Sequence, residues 1–409
     1  MPPANNGAPF MKITAIETLR FAGFAENQLW LQIHTDESLI GLGETFYNPA
    51  TVAAYIHEVA APYLIGKDPL AIDRHSRHLN GYLGFSTTSA EMRGNSAVDI
   101  ALWDIFGQAV GKPIWQLLGG LSRDRVRVYN TCAGYAYGNK RMEHVAEAGR
   151  RASGPYEDID AFMNHADELA QSLLEEGVTA MKIWPFDPYL TGNLTMHLDP
   201  ADLDRGLEPF RKIRKAVGNR IDVMLEFNNA FNLPTALRIA RAVEEFNPYW
   251  YEDPTRADDI GALGEFAKGT RIPLASTETL GTRWAFRDLL ERRIPQIVIL
   301  DLSWTGGLSE AKKIAAMAEA YQLPVAPHDC TGPVVLAASI HLSLNAPNAM
   351  IQEMVRAYYS GWYREVVTEL PRIEQGYAYP TTRPGLGLAL QPDLARRPGA
   401  ILQRTDRIA

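Results

Sequence analysis

This chain of 409 residues has little cysteine and no excess of basic charge. Only Cys132 and Cys330 are present, which excludes a disulfide framework and a metal site built on thiolates. Asp and Glu outnumber Lys and Arg by 48 to 40, and the formal net charge is −8. Because nucleic acids and anionic membranes attract clustered basic side chains, neither is expected as a partner.

Long apolar runs are missing as well. No stretch reaches membrane-spanning length, and MPPANNGAPFMK at the N-terminus has neither the basic segment nor the apolar core of a secretory signal. With 46% apolar and 22% charged residues, the composition is that of an ordinary globular protein, and we expect a cytoplasmic location. The length favours two domains, because single cores rarely grow past roughly 250 to 300 residues.

Hydrophobic periodicity divides the chain into segments. Over residues 12–124 the apolar residues are spaced first as in β-strands and then as in helices, which predicts an α+β domain. Strand-like and helical runs then alternate over residues 125–354. Residues 1–11 are expected to be disordered or extended. The segment 355–409, rich in Pro, Arg and Gly, is expected to pack back on the first domain.

A series of polar residues recurs through the second half of the chain at intervals of 23 to 27 residues. Each one ends a short apolar run, such as IDVMLEF, QIVILD or LPVAPH. Polar side chains at the C-terminal tips of successive buried strands are typical of a parallel barrel with its active site at one rim. The series consists of Glu226, Glu252, Glu278, Asp301, His328 and Glu353.

Two earlier runs, VRVYN at 126–130 and TAMKIW at 179–184, bring the predicted barrel strands to eight. A doubly wound open sheet is the competing α/β architecture, and it would usually carry a glycine-rich phosphate loop after its first strand. The segment YNTCAGYAYG at that place has no GxGxxG pattern. The sequence therefore predicts an α/β fold built as a barrel.

Three carboxylates, those of Glu226, Glu252 and Glu278, are expected on three adjacent strand tips. Mg²⁺ prefers such ligands and keeps its remaining octahedral positions for water or substrate, which leaves room for a bidentate acid. A single acidic residue at a strand end would more often be a helix N-cap or part of an ion pair. Three carboxylates at the same position of three consecutive strands favour a magnesium site.

Asp301 and His328 end the next two strands, so their side chains are expected to meet. A carboxylate that holds one imidazole nitrogen fixes the tautomer and suits the other nitrogen to acid–base work. A histidine satisfied within its own loop is the alternative. Glu353 could donate a hydrogen bond to an anionic intermediate if burial kept it protonated, or it could pair with Arg356 or Arg364.

Two further polar side chains belong to the predicted strands. Lys182 could place an ammonium against a substrate carboxylate, or it could extend outward to solvent. Asn228 follows Glu226 by two residues and would point to the same side by the strand period. It is a candidate substrate contact, with an ordinary loop amide as the alternative.

Together with these residues, several segments resemble the enolase superfamily, in particular its mandelate racemase subgroup: SAVDIALWDIFGQAVGKPIWQLLGG, YEDP, DLSWTGGLSEAKKIAAMAEAY, PVAPH and PGLGL. The resemblance covers about residues 12 to 390. It implies a (β/α)7β modified TIM barrel, an N-terminal α+β capping domain, and one Mg²⁺ per subunit that binds the substrate carboxylate. A base then removes the proton α to that carboxylate. It also implies a homo-oligomer.

The resemblance assigns roles by position. The three glutamates match the metal ligands, Asp301 and His328 match the His–Asp dyad, and Glu353 matches the electrophilic acid of strand eight. The stretch FAGFAENQ resembles the family's flexible capping loop, so Phe21, Phe24 and Glu26 are candidate contacts.

The chain departs from the family at two strands. Racemases of the family carry Lys-x-Lys on strand two, where this chain reads Lys182-Ile183-Trp184, and tryptophan has no titratable group near neutral pH. Some sugar-acid dehydratases of the family carry a second histidine at the position of Asn228. His328 is then the one obvious proton-transfer group among the motif positions.

One dyad can remove an α-proton and pass it to a departing β-hydroxyl on the same face. It cannot readily replace that proton on the opposite face, as racemisation requires. We therefore expect syn dehydration of a sugar acid, an aldonate or aldarate, to a 2-keto-3-deoxy acid. No lysine lies between Asp301 and Gly306, which argues against the muconate cycloisomerases and dipeptide epimerases.

A racemase or epimerase of a 2-hydroxy acid is the enzymatic alternative, with Tyr135, Tyr189 or His197 as the missing base. Tyr189 and His197 belong to a long segment that could fold over the barrel mouth or form an ordinary surface loop. Trp184, Tyr135 and His197 join Asn228 as candidate substrate contacts. A non-catalytic protein that binds metal and an acid sugar is the third interpretation.

Overall fold

The structure is a computed structural model that describes residues 10–81, 88–135, 137, 156–190 and 196–406. Residues 1–9 of the predicted extended or disordered segment lie outside the described residues. Within these ranges, none of the helices combines the length and apolar character needed to cross a bilayer.

The first domain opens with an antiparallel meander whose strands pair in chain order. Ser38, at φ 62°, lies in the turn between the second and third strands. The three strands are β1 (Ile13–Phe21), β2 (Gln28–Thr35) and β3 (Ile40–Phe46).

Helices cover one face of this sheet. The longest begins at Ser89, whose side chain accepts from Met92 N at 3.3 Å, and ends at Gly111, with φ 66°. A Cβ at Gly43 of β3 would lie 2.0 Å from the Ala97 carbonyl oxygen, so this close approach requires glycine. The helices are α1 (Pro49–Tyr55), a π-helical turn (Ile56–Ala60), α2 (Ala61–Leu64), α3 (Ile72–Leu79), α4 (Ala90–Val110) and α5 (Ile114–Leu117).

Eight parallel strands of the described chain form the barrel. They pair in sequence from the first to the seventh, and the eighth pairs with the first through Glu353 and Tyr129. Val325 closes the remaining seam by accepting from Met350 N and donating to Asn348 O, both at 2.9 Å. The strands are β4 (Val126–Thr131), β5 (Ala180–Ile183), β6 (Asp222–Glu226), β7 (Tyr251–Glu252), β8 (Leu274–Ser276), β9 (Ile297–Leu300), β10 (Val325–Pro327) and β11 (Gln352–Met354).

Helices connect the barrel strands on the outside. Asp199, Asn232 and Asp259 each cap a helix N-terminus by accepting a backbone N–H two or three residues on. The connecting helices are α6 (Asp158–Asn164), α7 (Ala166–Glu175), α8 (Pro200–Val217), α9 (Leu233–Val243), α10 (Ile260–Lys268), α11 (Thr282–Arg292), α12 (Gly307–Ala320) and α13 (Pro333–Asn345); short 3₁₀ turns lie at Asp187–Tyr189 and Glu244–Phe246.

Large apolar side chains fill the barrel interior below the rim, where Tyr129, Met224 and Trp250 are fully buried in one cluster. The rim is thus the place where polar side chains can meet. After β11 the chain forms no full-length barrel helix but only α14 (Arg356–Tyr359) and α15 (Tyr363–Val366). The α/β fold is confirmed, with a (β/α)7β barrel beneath an N-terminal α+β domain.

The C-terminal segment contacts both domains. A hairpin of β12 (Ile373–Glu374) and β13 (Tyr377–Ala378) pairs with β4. The last strand, β14 (Ala400–Thr405), pairs antiparallel with β1 of the first domain. A 3₁₀ turn at Leu394–Arg396 precedes it.

Two buried carboxylates of the first domain dock it against the barrel rim. Glu44 accepts from Val334 N at 2.8 Å and Val335 N at 2.9 Å, at the start of α13. Asp99 accepts from Ser309 N at 2.9 Å, at the start of α12. A carboxylate is favoured at a helix N-terminus, so these contacts hold the first domain over the strand tips.

Candidate active site

Six polar side chains from six strands meet at the barrel rim. Glu226 and Glu252 end β6 and β7, and Glu353 lies within β11. The other three, Glu278, Asp301 and His328, stand just beyond their strands. Glu278 is 18% exposed through its side chain, and the other five side chains are less than a tenth exposed. The structure therefore brings the predicted series together in one region.

Three of these carboxylates form an acidic cluster. Ligand oxygens of Glu226, Glu252 and Glu278 all lie within 4.8 Å of one another. Burial and the charge of Glu252 raise the pKa of Glu226 well above its usual range, and burial raises that of Glu278 to about 8. A hard divalent cation is the partner that such an oxygen cluster suits.

Asp253 holds the backbone that carries Glu278. Its Oδ1 accepts from the Ser276 hydroxyl and from Thr277 N at 3.2 Å. Thr277 has φ 105°, a strained value for a β-branched residue, and its hydroxyl donates to Ile299 O at 2.6 Å. The sequence prediction missed Asp253, although YEDP places it directly after Glu252.

Lys182 lies among carboxylates. Its ammonium nitrogen is 2.5 Å from Glu252 Oε1, 3.2 Å from Glu353 Oε1 and 3.4 Å from Glu226 Oε2. Although burial disfavours the ammonium, these carboxylates raise the pKa of Lys182 well above its usual range. Lys182 does not extend outward, and its charge is already matched by protein groups.

His328 and Asp301 form the expected pair, with Nδ1 2.7 Å from Asp301 Oδ2. The other carboxylate oxygen accepts from the amide and the hydroxyl of Ser303, both at 2.6 Å. His328 Nε2 is 3.4 Å from Glu278 Oε2, and the imidazole ring lies 5.1 Å from that of Trp304. Burial opposes the imidazolium, but Glu278, Glu353 and Asp301 raise the pKa of His328 to about 10.

Glu353 is held by donors on both oxygens. The Thr131 hydroxyl donates to Oε1, and Asp329 N donates to Oε2 at 2.9 Å. Burial favours the protonated form, but Lys182 and His328 outweigh it and lower the pKa of Glu353 to about 2. Glu353 therefore pairs with Lys182 and not with Arg356, which pairs with Asp158 and Glu176, and its role as a donor to an intermediate stays a prediction.

Trp184 and Asn228 occupy the positions where the chain departs from the family. Trp184 packs against Tyr137 and Phe162, with ring centroids 5.4 and 5.3 Å away. Its buried indole N–H has no partner among the described residues. Asn228 donates from Nδ2 to Asp187 at 2.7 Å and from its backbone N to Glu226 at 2.6 Å, so part of its role is to position that carboxylate.

Several predicted contacts lie elsewhere. The Tyr135 hydroxyl donates to Glu365 Oε1 at 3.4 Å, and His197 is exposed. Tyr189 packs beneath the Arg205 guanidinium, 5.4 Å from its ring centroid. None of these three residues lines the site cavity, and neither do the predicted contacts Phe21, Phe24 and Glu26 of the capping stretch, although Asn27 of that stretch does. Phe21 and Phe24 pack on each other and on Trp30 and Trp362, and Glu26 accepts from Gly23 N.

A cavity of about 300 Å³ connects the cluster and the dyad. Its far wall comes from the first domain, including residues that the sequence prediction missed. A larger cavity of about 540 Å³ adjoins it but contains neither dyad nor cluster residues. The smaller cavity is lined by Asn27, Phe46, Tyr47, Arg93, Thr131, Tyr137, Lys182, Trp184, Glu226, Asn228, Asn229, Glu278, Thr279, Trp304, His328, Cys330 and Glu353.

Known proteins match the chain along most of its length. A D-galactonate dehydratase family member from Streptomyces bingchenggensis is 32% identical over 386 residues, covering 91% of this chain and 89% of the relative. A D-galactonate dehydratase from Variovorax paradoxus is 32% identical over 394 residues, covering 94% and 93%.

Solved structures match as well. An enolase of the mandelate racemase subgroup from Agrobacterium tumefaciens is 49% identical with a TM-score of 0.85, covering 97% of this chain and 99% of that one. An enolase protein from environmental sequencing of the Sargasso Sea is 41% identical with a TM-score of 0.86, covering 97% and 100%.

Family models match both domains. The mandelate racemase / muconate lactonizing enzyme N-terminal domain matches residues 12–119, and the enolase C-terminal domain-like family matches residues 165–394. The chain belongs to the mandelate racemase subgroup of the enolase superfamily.

Proposed function

We propose that this protein is a hydro-lyase that converts a sugar acid to a 2-keto-3-deoxy acid. The observation that carries the proposal is a single His–Asp pair on one wall of a cavity that also contains the acidic cluster. Trp184 stands where a racemase of the family has its second base. Relatives named D-galactonate dehydratase, 32% identical over nearly the whole chain, support the reaction class.

The acidic cluster fits Mg²⁺. Glu226, Glu252 and Glu278 would hold one ion per subunit, since their oxygens lie close enough for common ligation and their buried charge exceeds what Lys182 can balance. When bound, the ion supplies Lewis acidity toward the substrate carboxylate and so acidifies its α-proton.

His328 is the proposed acid and base. Among the carboxylates that raise the pKa of His328, Glu278 has the largest effect, so its engagement as a metal ligand would lower that pKa and favour the neutral imidazole. The neutral Nε2 removes the α-proton, and the electron pair moves toward the carboxylate. Asp301 holds Nδ1–H and stabilises the imidazolium that forms. The imidazolium then returns the proton to the β-hydroxyl as the Cβ–O bond breaks. Water and an enol result, and the enol tautomerises to the 2-keto acid.

Lys182 and Glu353 have supporting roles in this proposal. Lys182 holds Glu226 and Glu252 in place through its short contacts. Glu353, in its ionised form, holds Lys182 from the other side and accepts from Asp329 N next to the catalytic histidine. Glu353 would have to take up a proton before it could donate to an intermediate.

The alternatives have less support. The tyrosines and histidine proposed as a second base for a racemase, Tyr135, Tyr189 and His197, do not line the cavity. A non-catalytic protein would have no need of the ordered Asp301–His328 pair. Cytoplasmic location and homo-oligomer formation remain predictions.

The test is a screen of aldonates and aldarates with purified protein and Mg²⁺, using semicarbazide to detect keto acids. We expect product from at least one acid sugar, and none from the His328→Asn variant, whose fold is checked by circular dichroism. Full turnover by this variant would contradict the role of His328. A screen without product, together with thermal stabilisation by acid sugars, would favour the non-catalytic interpretation.

A further inference from the structure

Arg93 of α4 is a buried cation in the cavity wall that the first domain contributes. It is 9% exposed, and its guanidinium lies between two aromatic rings, 4.7 Å from the Trp304 centroid and 5.4 Å from that of Tyr47. The Trp304 ring in turn lies 5.1 Å from the His328 ring. Arg93 therefore stands next to the catalytic pair, on the side that faces the capping domain.

The protein partners of Arg93 are all neutral. Its guanidinium donates to the carbonyl oxygen of Phe46, to Thr88 O at 3.0 Å and to the Thr88 hydroxyl at 3.1 Å. These bonds use three of its five N–H groups. No carboxylate of the described chain lies within ion-pair distance, although Asp301 and Glu278 act on it from farther away. A buried arginine without a paired anion is unusual, because desolvating its charge is costly.

Lys182 provides the contrast within the same cavity. Its ammonium is surrounded by three carboxylates, so it has no charge left to offer a ligand. The α-carboxylate of a substrate would bind at the acidic cluster through the divalent ion. Arg93 also lines the cavity and is permanently charged, but it has no ion-pair partner among the described residues.

The backbone beside Arg93 is strained. Tyr47 has φ 86° and Asn48 has φ 51°, and a left-handed conformation is unfavourable for a bulky tyrosine. Tyr47 N donates to Asn27 O at 2.7 Å, which helps to hold this turn. Strained backbone of this kind clusters at binding sites. Here the strained residue carries the tyrosine ring that lies against the guanidinium.

We propose that Arg93 binds the distal carboxylate of the substrate, so that the enzyme acts on a sugar diacid, an aldarate, in preference to the matching aldonate. The inference rests on the proposed function and specifies its substrate class. A planar guanidinium held beside two aromatic rings is suited to a carboxylate, with which it can form parallel N–H···O bonds. The cavity, at about 300 Å³, has room for a small acyclic acid.

The experiment compares pairs of aldarates and aldonates that share the same hydroxyl configuration. We expect kcat/KM for the diacid to exceed that for the monoacid by about 10- to 100-fold, the size of one charge-assisted contact. Arg93→Gln should remove this preference by lowering kcat/KM for the diacid while leaving that for the monoacid within a few-fold. Arg93→Lys keeps the charge but lacks the planar guanidinium with its parallel N–H donors. It should retain part of the preference for the diacid.

Arg256→Gln is the matched control, because Arg256 is an exposed arginine of the adjoining cavity that pairs with Asp258. It should leave the preference unchanged. If Arg93→Gln does not fold, the wild-type preference and the Arg93→Lys variant still decide the matter. Calorimetry with His328→Asn gives a second readout, in which the diacid should bind more tightly than its monoacid counterpart.

The outcomes separate the two proposals. Equal turnover of aldonates and aldarates, or an equal loss for both in Arg93→Gln, would overturn the inference and leave the dehydratase intact. Absence of keto product from every acid would overturn the proposed function, and calorimetry would then decide the inference by itself. Tighter binding of diacids would support it, and equal binding would overturn it.

Discussion

Replacing Asp301 by Asn should disable His328 by changing its tautomer. One oxygen of Asp301 accepts from the Ser303 amide and hydroxyl at 2.6 Å, while the other accepts from His328 Nδ1 at 2.7 Å. The Ser303 amide is a fixed donor, so the asparagine oxygen must face it and its NH₂ group must face Nδ1. Nδ1 then becomes an acceptor, the ring proton moves to Nε2, and the nitrogen that should remove the α-proton is blocked.

The expected loss is large. The corresponding change in the aspartate–histidine pair of a serine protease lowers kcat about 10⁴-fold, and a barrier increase of about 5.4 kcal/mol gives the same factor. Ser303→Ala is the matched control, since it removes one of two donors to Asp301 and leaves the amide in place. A hydrogen bond to a carboxylate contributes about 1.5–3 kcal/mol, so this variant should lose at most about 10- to 150-fold, well short of 10⁴-fold.

The assay is kcat/KM on the best acid sugar, with the ¹⁵N shifts of the His328 ring recorded on the same proteins. The Asp301→Asn protein should be folded, should bind substrate, and should carry the ring proton on Nε2. A variant that keeps more than a tenth of the wild-type activity, or that keeps the proton on Nδ1, would refute this reasoning.

Three further predictions follow from single contacts. Glu252→Gln should abolish the rise in melting temperature that Mg²⁺ gives the wild type, a stabilisation of about 2.7 kcal/mol at 100 times Kd; an equal rise in the variant would contradict the metal site. Trp184→Phe should raise KM about 3- to 10-fold through loss of the unpaired indole N–H, with kcat little changed; an unchanged KM would remove it as a contact. Burial lowers the pKa of His341 to about 4, and His341 Nδ1 accepts from Trp115 N, so the unfolded chain binds the proton more readily. The contribution of His341 to stability should therefore fall by about 3 kcal/mol as pH drops from 6.5 to 4. The difference in stability between wild type and His341→Asn should shift by that amount over this range, whereas the difference for the exposed control His165→Asn should stay constant.

The barrel and most of its rim could be predicted because they follow from local repetition. Each strand is a short apolar run that ends in a polar residue, and parallel strands place their C-terminal ends at one edge. Glu278 shows the limit of this rule, because it stands two residues beyond β8 and depends on the strained Thr277 for its position. The spacing gave its place in the series but not the backbone geometry.

The residues of the first domain that line the cavity could not be predicted from local patterns. Arg93 stands in a helical stretch where a charged side chain usually faces solvent, and its burial depends on how the two domains dock. The places of Tyr189 and His197, away from the cavity lining, could not be predicted for the same reason, since the path of a long loop is decided by tertiary packing. Phe21 and Phe24 pack with one another and with neighbouring aromatic rings, so their aromatic character is explained by packing.

The most direct test of a one-base dehydratase follows the reaction by ¹H NMR in D₂O with Mg²⁺. The keto product should form with one deuterium at C3, and the remaining substrate should keep its configuration. Epimerised substrate without keto product would contradict the account, because inversion at the α-carbon would require a second base opposite His328.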